Sequence, residues 1–390
     1  MKILFIDWIC YGKEDIQRAM VEEGHEVLSF PFEVSAKLIW EQLIHEPETE
    51  KRLRSDLHEK VPDVVFSVNY FPVISSVCQA EGIRYISWSY DCPYILLYSD
   101  TIVNPCNEIY VFDKEMYLEY RGAGIFTVHY MPLAVNTERL DRMEQNLSPV
   151  APFVYDISFV GSLYLEKGNY FERIEAALPD RARGYLKALI AIQLKIQGYD
   201  LIQEMLMPIL DDLHKAYPVG SLSAGMEPEG FFYEHHVIKP WITTIERMDL
   251  LEAIAAKYRV DLFSHTKDFS ASGLCNHGAV DYVREMPLVF KQSKINLNIT
   301  MRSIKSGIPL RAFDIMGAGG FLLSDHRVGF MEYFVPGEDF VYYENKEDLL
   351  IKIDYYLTHD AERMAIARNG HDKVAAGHTY RHRIREMFTF

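Results

Sequence analysis

Residues 293–325 read SKINLNITMRSIKSGIPLRAFDIMGAGGFLLSD, and the reading of this stretch decides the fold. Lys294–Ile299 has the apolar alternation of a strand. Arg302 and Lys305 follow in a loop, and Pro309 stands where the first turn of a helix accepts proline. The spacing predicts a helix over Leu310–Met316, stopped by Gly317, Gly319 and Gly320. Phe321–Ser324 then reads as a short buried strand. Asp314 falls inside that helix, between basic residues and a glycine turn. A nucleotide suits this arrangement, because ribose hydroxyls take a carboxylate acceptor and phosphates take cations and backbone N–H groups.

Outward from this stretch, the first half of the chain alternates strands with helices. Ile3–Ile6 is a continuous apolar run, the mark of a strand buried on both faces of a parallel sheet. Further strands are expected at Glu26–Ser29, Asp63–Val68, Arg84–Trp88, Glu108–Phe112 and Val128–Met131, with helices at Glu14–Glu23 and Val73–Ala80. Such alternation with short turns implies a doubly wound α/β sheet. Loop Asp7–Gly12 has one glycine and no GxGxxG, so no dinucleotide is placed there. A linker is expected over 136–155. Asp156–Val160 opens a second α/β domain, with Gly161 and Ser162 as its first turn. Residues 166–258 read as mostly helical, and 180–240 exceeds what one strand–helix unit needs, so it is taken as a helical insertion. Arg259–Ser264 reads as a strand. Helices are expected at Asp281–Phe290, interrupted near Pro287, and at Lys346–Leu357, Ala361–Ala375 and Tyr380–Met387.

A length of 390 residues suits two domains, each with its own core. The net charge of −16 argues against non-specific nucleic-acid binding, which needs a basic surface. Five cysteines, odd in number and without CxxC spacing, fit a reducing cytosol better than a disulfide framework. The N-terminus opens as a strand rather than a signal peptide, and no apolar run is long enough to span a membrane.

At Arg311-Ala312-Phe313-Asp314, Ala318–Leu323 and His378-Thr379-Tyr380 the chain resembles GT-B glycosyltransferases, and within them the spore maturation protein CgeB-like family. The resemblance covers about residues 280–390, and more weakly SWSYDCP at 87–93, YMPLAVN at 130–136 and FVGSLY at 159–164. It implies two Rossmann-like domains facing a cleft: an N-terminal acceptor domain over 1–150, completed by a C-terminal helix at 376–390, and a nucleotide-sugar donor domain over 151–375. In this family's pattern Asp314 stands where a ribose-binding glutamate is usual. Ser306, eight residues earlier, stands where retaining enzymes often carry a second glutamate beside the donor sugar. Tyr282 lies where the base is recognised, and Arg327, Val328, Gly329 and Phe330 begin a helix whose free N–H groups meet phosphate or sugar.

Glycosyl transfer requires a neutralised leaving diphosphate, a held donor and a positioned acceptor. No DxD pair marks a metal site, so cations and helix N-termini are expected to neutralise the diphosphate. Arg302, Lys305 and Arg311 are the candidates. Gly161 and Ser162 let the backbone approach the donor, and Lys167 and Arg173 lie within reach of phosphate or on a solvated face. Asp91 ends the strand before Cys92-Pro93 and either orients or deprotonates an acceptor hydroxyl or caps a turn. Asn69, Tyr70, Trp88 and Tyr90 are placed around that acceptor. His235, His236, His265 and His277 lack a ligand pattern such as HExxH, so no metal is assigned. The whole reads as a cytoplasmic glycosyltransferase that moves a sugar, a UDP-sugar by preference, to an unknown acceptor. Retention and no need of a metal or other cofactor are expected. The rival readings are a nucleotide-sugar-binding scaffold without turnover and a GT-B nucleotide-sugar epimerase. Fold does not decide among them.

Overall fold

The structure, a computed structural model, describes residues 1–33, 46–145, 153–165, 170–196, 198–219 and 227–389. Its first sheet contains β1 (Lys2–Asp7), β2 (Glu26–Pro31), β3 (Val64–Val68), β4 (Arg84–Ser89), β5 (Asn107–Val111) and β6 (Val128–Tyr130). They pair in the order β2-β1-β3-β4-β5-β6, all parallel. Every residue of β3 is buried, as a central strand covered by helices on both faces must be.

A second parallel sheet contains β7 (Tyr155–Val160), β8 (Val260–Phe263), β9 (Leu274–Asn276), β10 (Ser293–Asn298), β11 (Leu322–Asp325) and β12 (Val341–Tyr343). Its order is β12-β11-β10-β7-β8-β9. The chain winds one way from β7 and the other way from β10, so the switch point lies between those two strands. In open α/β sheets that is where the crevice for a ligand forms, outside the carboxyl ends of the strands.

Between β7 and β8 the chain makes a long helical excursion that packs a core of its own, including Phe171, Ile174, Leu186, Leu213, Tyr233 and Ile242. Phe231 of this excursion reaches the first domain, where its ring lies 5.0 Å from that of Tyr98. The expected insertion therefore folds as a subdomain that walls one side of the interdomain space. Lys167 lies outside the described residues.

The last helix, Tyr380–Met387, crosses back to the first domain. Arg381 and Arg385 both donate to Glu23, at 2.7 and 2.6 Å, and Tyr380 packs edge-on against Trp88. Three expectations differ from the structure. The linker expected over 136–155 begins instead as the helix Thr137–Gln145. The helix expected over Asp281–Phe290 is confined to Met286–Lys291, because Asp281 folds its carboxylate back onto the N–H groups of Val283 and Arg284 in a turn. The helix expected to begin at Arg327 is only a 3₁₀ turn over Val328–Glu332, too short to carry a helix dipole.

Candidate functional site

The carboxyl ends of β7 and β10 open into a cavity of about 510 Å³ between the domains. Gly161, Ser162 and Tyr164 line it after β7, and Asn298, Ile299 and Thr300 at the end of β10. Tyr90, Asp91 and Tyr94 close it from the first domain, His235 and His236 from the helical excursion. Of the residues expected in the site, the fold thus brings Asp91, Tyr90, Gly161, Ser162 and Arg311 around one space.

Asp91 is aimed by Asn69. The Asn69 backbone is left-handed, with φ 60°, a conformation asparagine tolerates better than most residues. Its side-chain amide donates to Asp91 Oδ2 at 2.7 Å, and its Oδ1 accepts from the Tyr90 N–H at 2.7 Å. Asp91 is open to the cavity, yet protein encloses that space. Burial pushes its carboxyl above the usual range, against the pull of the Asn69 amide. Asn69 therefore positions Asp91 rather than meeting an acceptor. Tyr70 and Trp88, expected on the acceptor side, are fully buried core side chains. Tyr70 spends its hydroxyl on Thr101 at 2.7 Å.

Arg247 is the residue the sequence reading missed. It sits on helix Lys239–Ala255, is 8% exposed, and lines the cavity. Its guanidinium donates to the carbonyls of Ile299 and Ser162, so it ties together the ends of β10 and β7. The rings of Phe159 and Tyr164 flank it, with centroids at 5.3 and 5.1 Å. Among the described residues no carboxylate pairs with it. Arg311 lines the same cavity over the ring of Phe290, with its nearest carboxylate, Asp314, 3.7 Å away.

Arg302 and Lys305 correct the expectation for the diphosphate. Arg302 is buried and held bidentately by Glu246, which consumes its charge. Lys305 pairs with Glu119 at 2.6 Å. Both face a separate polar pocket of about 240 Å³ that also holds Asp200, Lys239 and Arg327.

Asp314 lies beneath the cleft, 5% exposed, and does not line the cavity. Its Oδ1 accepts from the Tyr282 hydroxyl at 3.0 Å, and the Tyr282 ring packs against Tyr11 of the first domain at 4.9 Å. Burial raises its carboxyl to about 6, with Arg311 and then Tyr282 pulling the other way. Tyr282 thus covers Asp314 in this arrangement.

Ser306 faces the first domain instead of a sugar. Asp113 Oδ2 accepts from the successive backbone N–H groups of Lys305, Ser306 and Gly307 at 2.9, 2.8 and 2.9 Å, and its Oδ1 accepts from the Ser306 hydroxyl at 3.0 Å. Three amides wrapped round one carboxylate make an anion nest. A glutamate at 306 would push a second carboxylate against Asp113, which explains why the position is small and neutral here. Gly329 packs against the Ser306 carbonyl, Phe330 is core, and Val328 is exposed.

His235 adds a second group suited to proton transfer. It is 9% exposed, with Nε2 3.2 Å from Glu234 Oε1 and no partner on Nδ1 among the described residues. Burial, then the nearby charge of Lys239, keeps the ring neutral. Nothing in the pattern YEHHVIK separates this histidine from a core or surface one, because its neighbours come from the insertion's fold.

Residues 247–389 match the model of the family described as glycosyl transferase-like. No curated protein matches the chain. Among solved structures, a glycosyltransferase from Rickettsia africae superposes with a TM-score of 0.52 at 11% identity, over 99% of this chain and 96% of that one. Sucrose-phosphate synthase from Thermosynechococcus elongatus gives 0.53 at 10% identity, over 100% and 98%. Anabaena HepE in complex with UDP-glucose gives 0.51 at 11% identity, over 99% and 98%. At these identities the likeness is one of fold. The chain has the GT-B fold, two Rossmann-like domains facing a cleft, and carries a glycosyltransferase domain in its C-terminal part.

Proposed function

We propose that the cleft transfers a sugar from a nucleotide-sugar to an acceptor hydroxyl. The observation that carries this reading is Arg247: a buried guanidinium whose partners among the described residues are carbonyls and rings, at the switch point of the second sheet. A buried charge without a counter-ion is costly, and an incoming diphosphate supplies one. Arg311 lines the same cavity, and the two cations together stabilise the leaving diphosphate without needing a divalent ion. UDP is the first nucleotide to test, a choice supported by the UDP-glucose held in the Anabaena neighbour. The reaction is placed in the cytosol, where the five cysteines, all free in this structure, stay reduced.

On the acceptor side, Asp91 opens to the cavity and the neutral ring of His235 lines it. Either would take the proton from an attacking hydroxyl. Retention is carried over from the CgeB-like resemblance, whereas in-line attack with such a base inverts. The anomeric configuration of the product, read by NMR, separates the two.

The test is release of nucleoside diphosphate from UDP-, GDP-, ADP- and TDP-sugars by the purified chain. We expect release from one nucleotide class, unchanged by EDTA and reduced at least tenfold in Asp91→Asn or His235→Asn with nucleotide binding retained. Binding without any release or transfer would favour the scaffold reading, and conversion of the donor sugar without an acceptor would favour the epimerase.

A further inference from the structure

We propose that Asp261, Cys275 and His277 form a divalent-metal site of the zinc type at the edge of the second sheet, separate from the cleft. Asp261 lies on β8 and faces Cys275 on β9 as its register partner. The ladder continues as the His277 N–H donates to the Leu262 carbonyl at 2.8 Å. Cys275 and His277 are two residues apart along an extended edge segment, so their side chains leave on the same face as Asp261. One ligand atom from each residue lies within 4.8 Å of the others. A tetrahedral zinc at about 2.0–2.3 Å from each ligand needs ligand atoms about 3.2–3.8 Å apart, which small side-chain rotations supply.

A second observation points to a ligand. Asp261 is fully buried; its Oδ1 takes both His277 Nε2, at 2.7 Å, and Arg259, at 3.1 Å, while its Oδ2 is buried with no partner among the described residues. A buried carboxylate oxygen without a donor calls for an explanation, and a cation supplies one. The rings of Phe263 and Tyr155 pack against His277 at 4.7 and 5.7 Å and hold the imidazole at the site. Arg259 opposes a metal, but its side chain is 62% exposed and is free to turn to water as the ion's charge arrives.

A thiolate, an imidazole and a carboxylate on three positions select zinc-like ions over magnesium or calcium, and leave a fourth position for water. On binding, the Cys275 thiol proton goes to solvent. His277 coordinates through one ring nitrogen and keeps a proton on the other. None of the three residues lines the cleft cavity, so the site's role is to clamp the short edge strand.

The experiment is titration of the full chain with Zn²⁺ by calorimetry in buffers of different ionisation enthalpy, and with Co²⁺ followed by absorption. We expect one equivalent bound with release of about one proton and a thiolate-to-cobalt band. Affinity should fall at least tenfold in Cys275→Ser and in His277→Gln. Cys275 is exposed, so Cys275→Ser should fold even if Asp261→Asn does not. Zinc affinity and the cobalt band unchanged in Cys275→Ser and His277→Gln, or no binding to the parent chain, would overturn the proposal. Neither result depends on the reaction in the cleft.

Discussion

Arg247 and Asp314 show how burial, rather than residue type, assigns roles in this cleft. Arg247 is held by carbonyls and rings and has no carboxylate partner among the described residues, so its charge is available to a ligand. Asp314 is held beneath Tyr282, and its raised carboxyl makes a prediction about stability. Folded Asp314 keeps its proton to about pH 6, against an ordinary value of 3.8. Between those values the folded state binds more protons than the unfolded chain, so stability falls as pH rises through the window and is level above it. Asp314→Asn removes this term. Urea unfolding of the two proteins should show the parent losing up to about 3 kcal/mol relative to Asp314→Asn between pH 4 and 6. A pH-independent difference would mean that Tyr282 and Arg311 fully support the ionised form. These residue roles were only partly legible in the sequence. Asp314 and Arg311 stood out by their place between a basic loop and a glycine turn. Arg302 and Lys305 stood out equally, but Glu246 and Glu119, distant in sequence, claim their charges. Arg247 gave no signal, because an arginine on an amphipathic helix reads as solvated until the helix is docked on strand ends.

At the scale of elements, the strands were the most legible part, because apolar runs such as Ile3–Ile6 and Asp63–Val68 have one reading in a two-sided sheet. β9 was missed: three residues long and only partly buried, it has neither length nor pattern, and its pairing with β8 alone makes it a strand. The loop from β10 to helix Leu310–Gly317 was read as phosphate-facing, yet its backbone is organised by Asp113 of the other domain. That nest is the element most directly testable. Asp113→Ala strands the buried N–H groups of Ser306 and Gly307 and the half-buried one of Lys305, and it uncaps helix Lys114–Gly122, whose Met116 N–H Asp113 also accepts. We expect a loss of about 3–5 kcal/mol in unfolding and a wider interdomain angle by small-angle scattering. Gly329→Ala should act on the same contact, because its Cβ would lie 2.2 Å from the Ser306 carbonyl oxygen, and backbone cannot swing aside. A Gly329→Ala protein of parent stability would show that the loop is not pinned as described.

At the scale of the whole molecule, two sheets and a helical excursion bound the cavity of about 510 Å³ between the domains. The guanidinium groups of Arg247 and Arg311 line it from the second domain, and the oriented carboxylate of Asp91 lines it from the first. The central claim is that this cavity binds a nucleoside diphosphate through Arg247 and Arg311. Calorimetric titration with UDP, GDP, ADP and TDP, on the parent chain and on Arg247→Lys and Arg311→Ala, tests it most directly. Binding of at least one of the four is expected, weakened about tenfold or more, roughly 1.4 kcal/mol, in each variant. Binding of none, or binding that both variants leave unchanged, would contradict it.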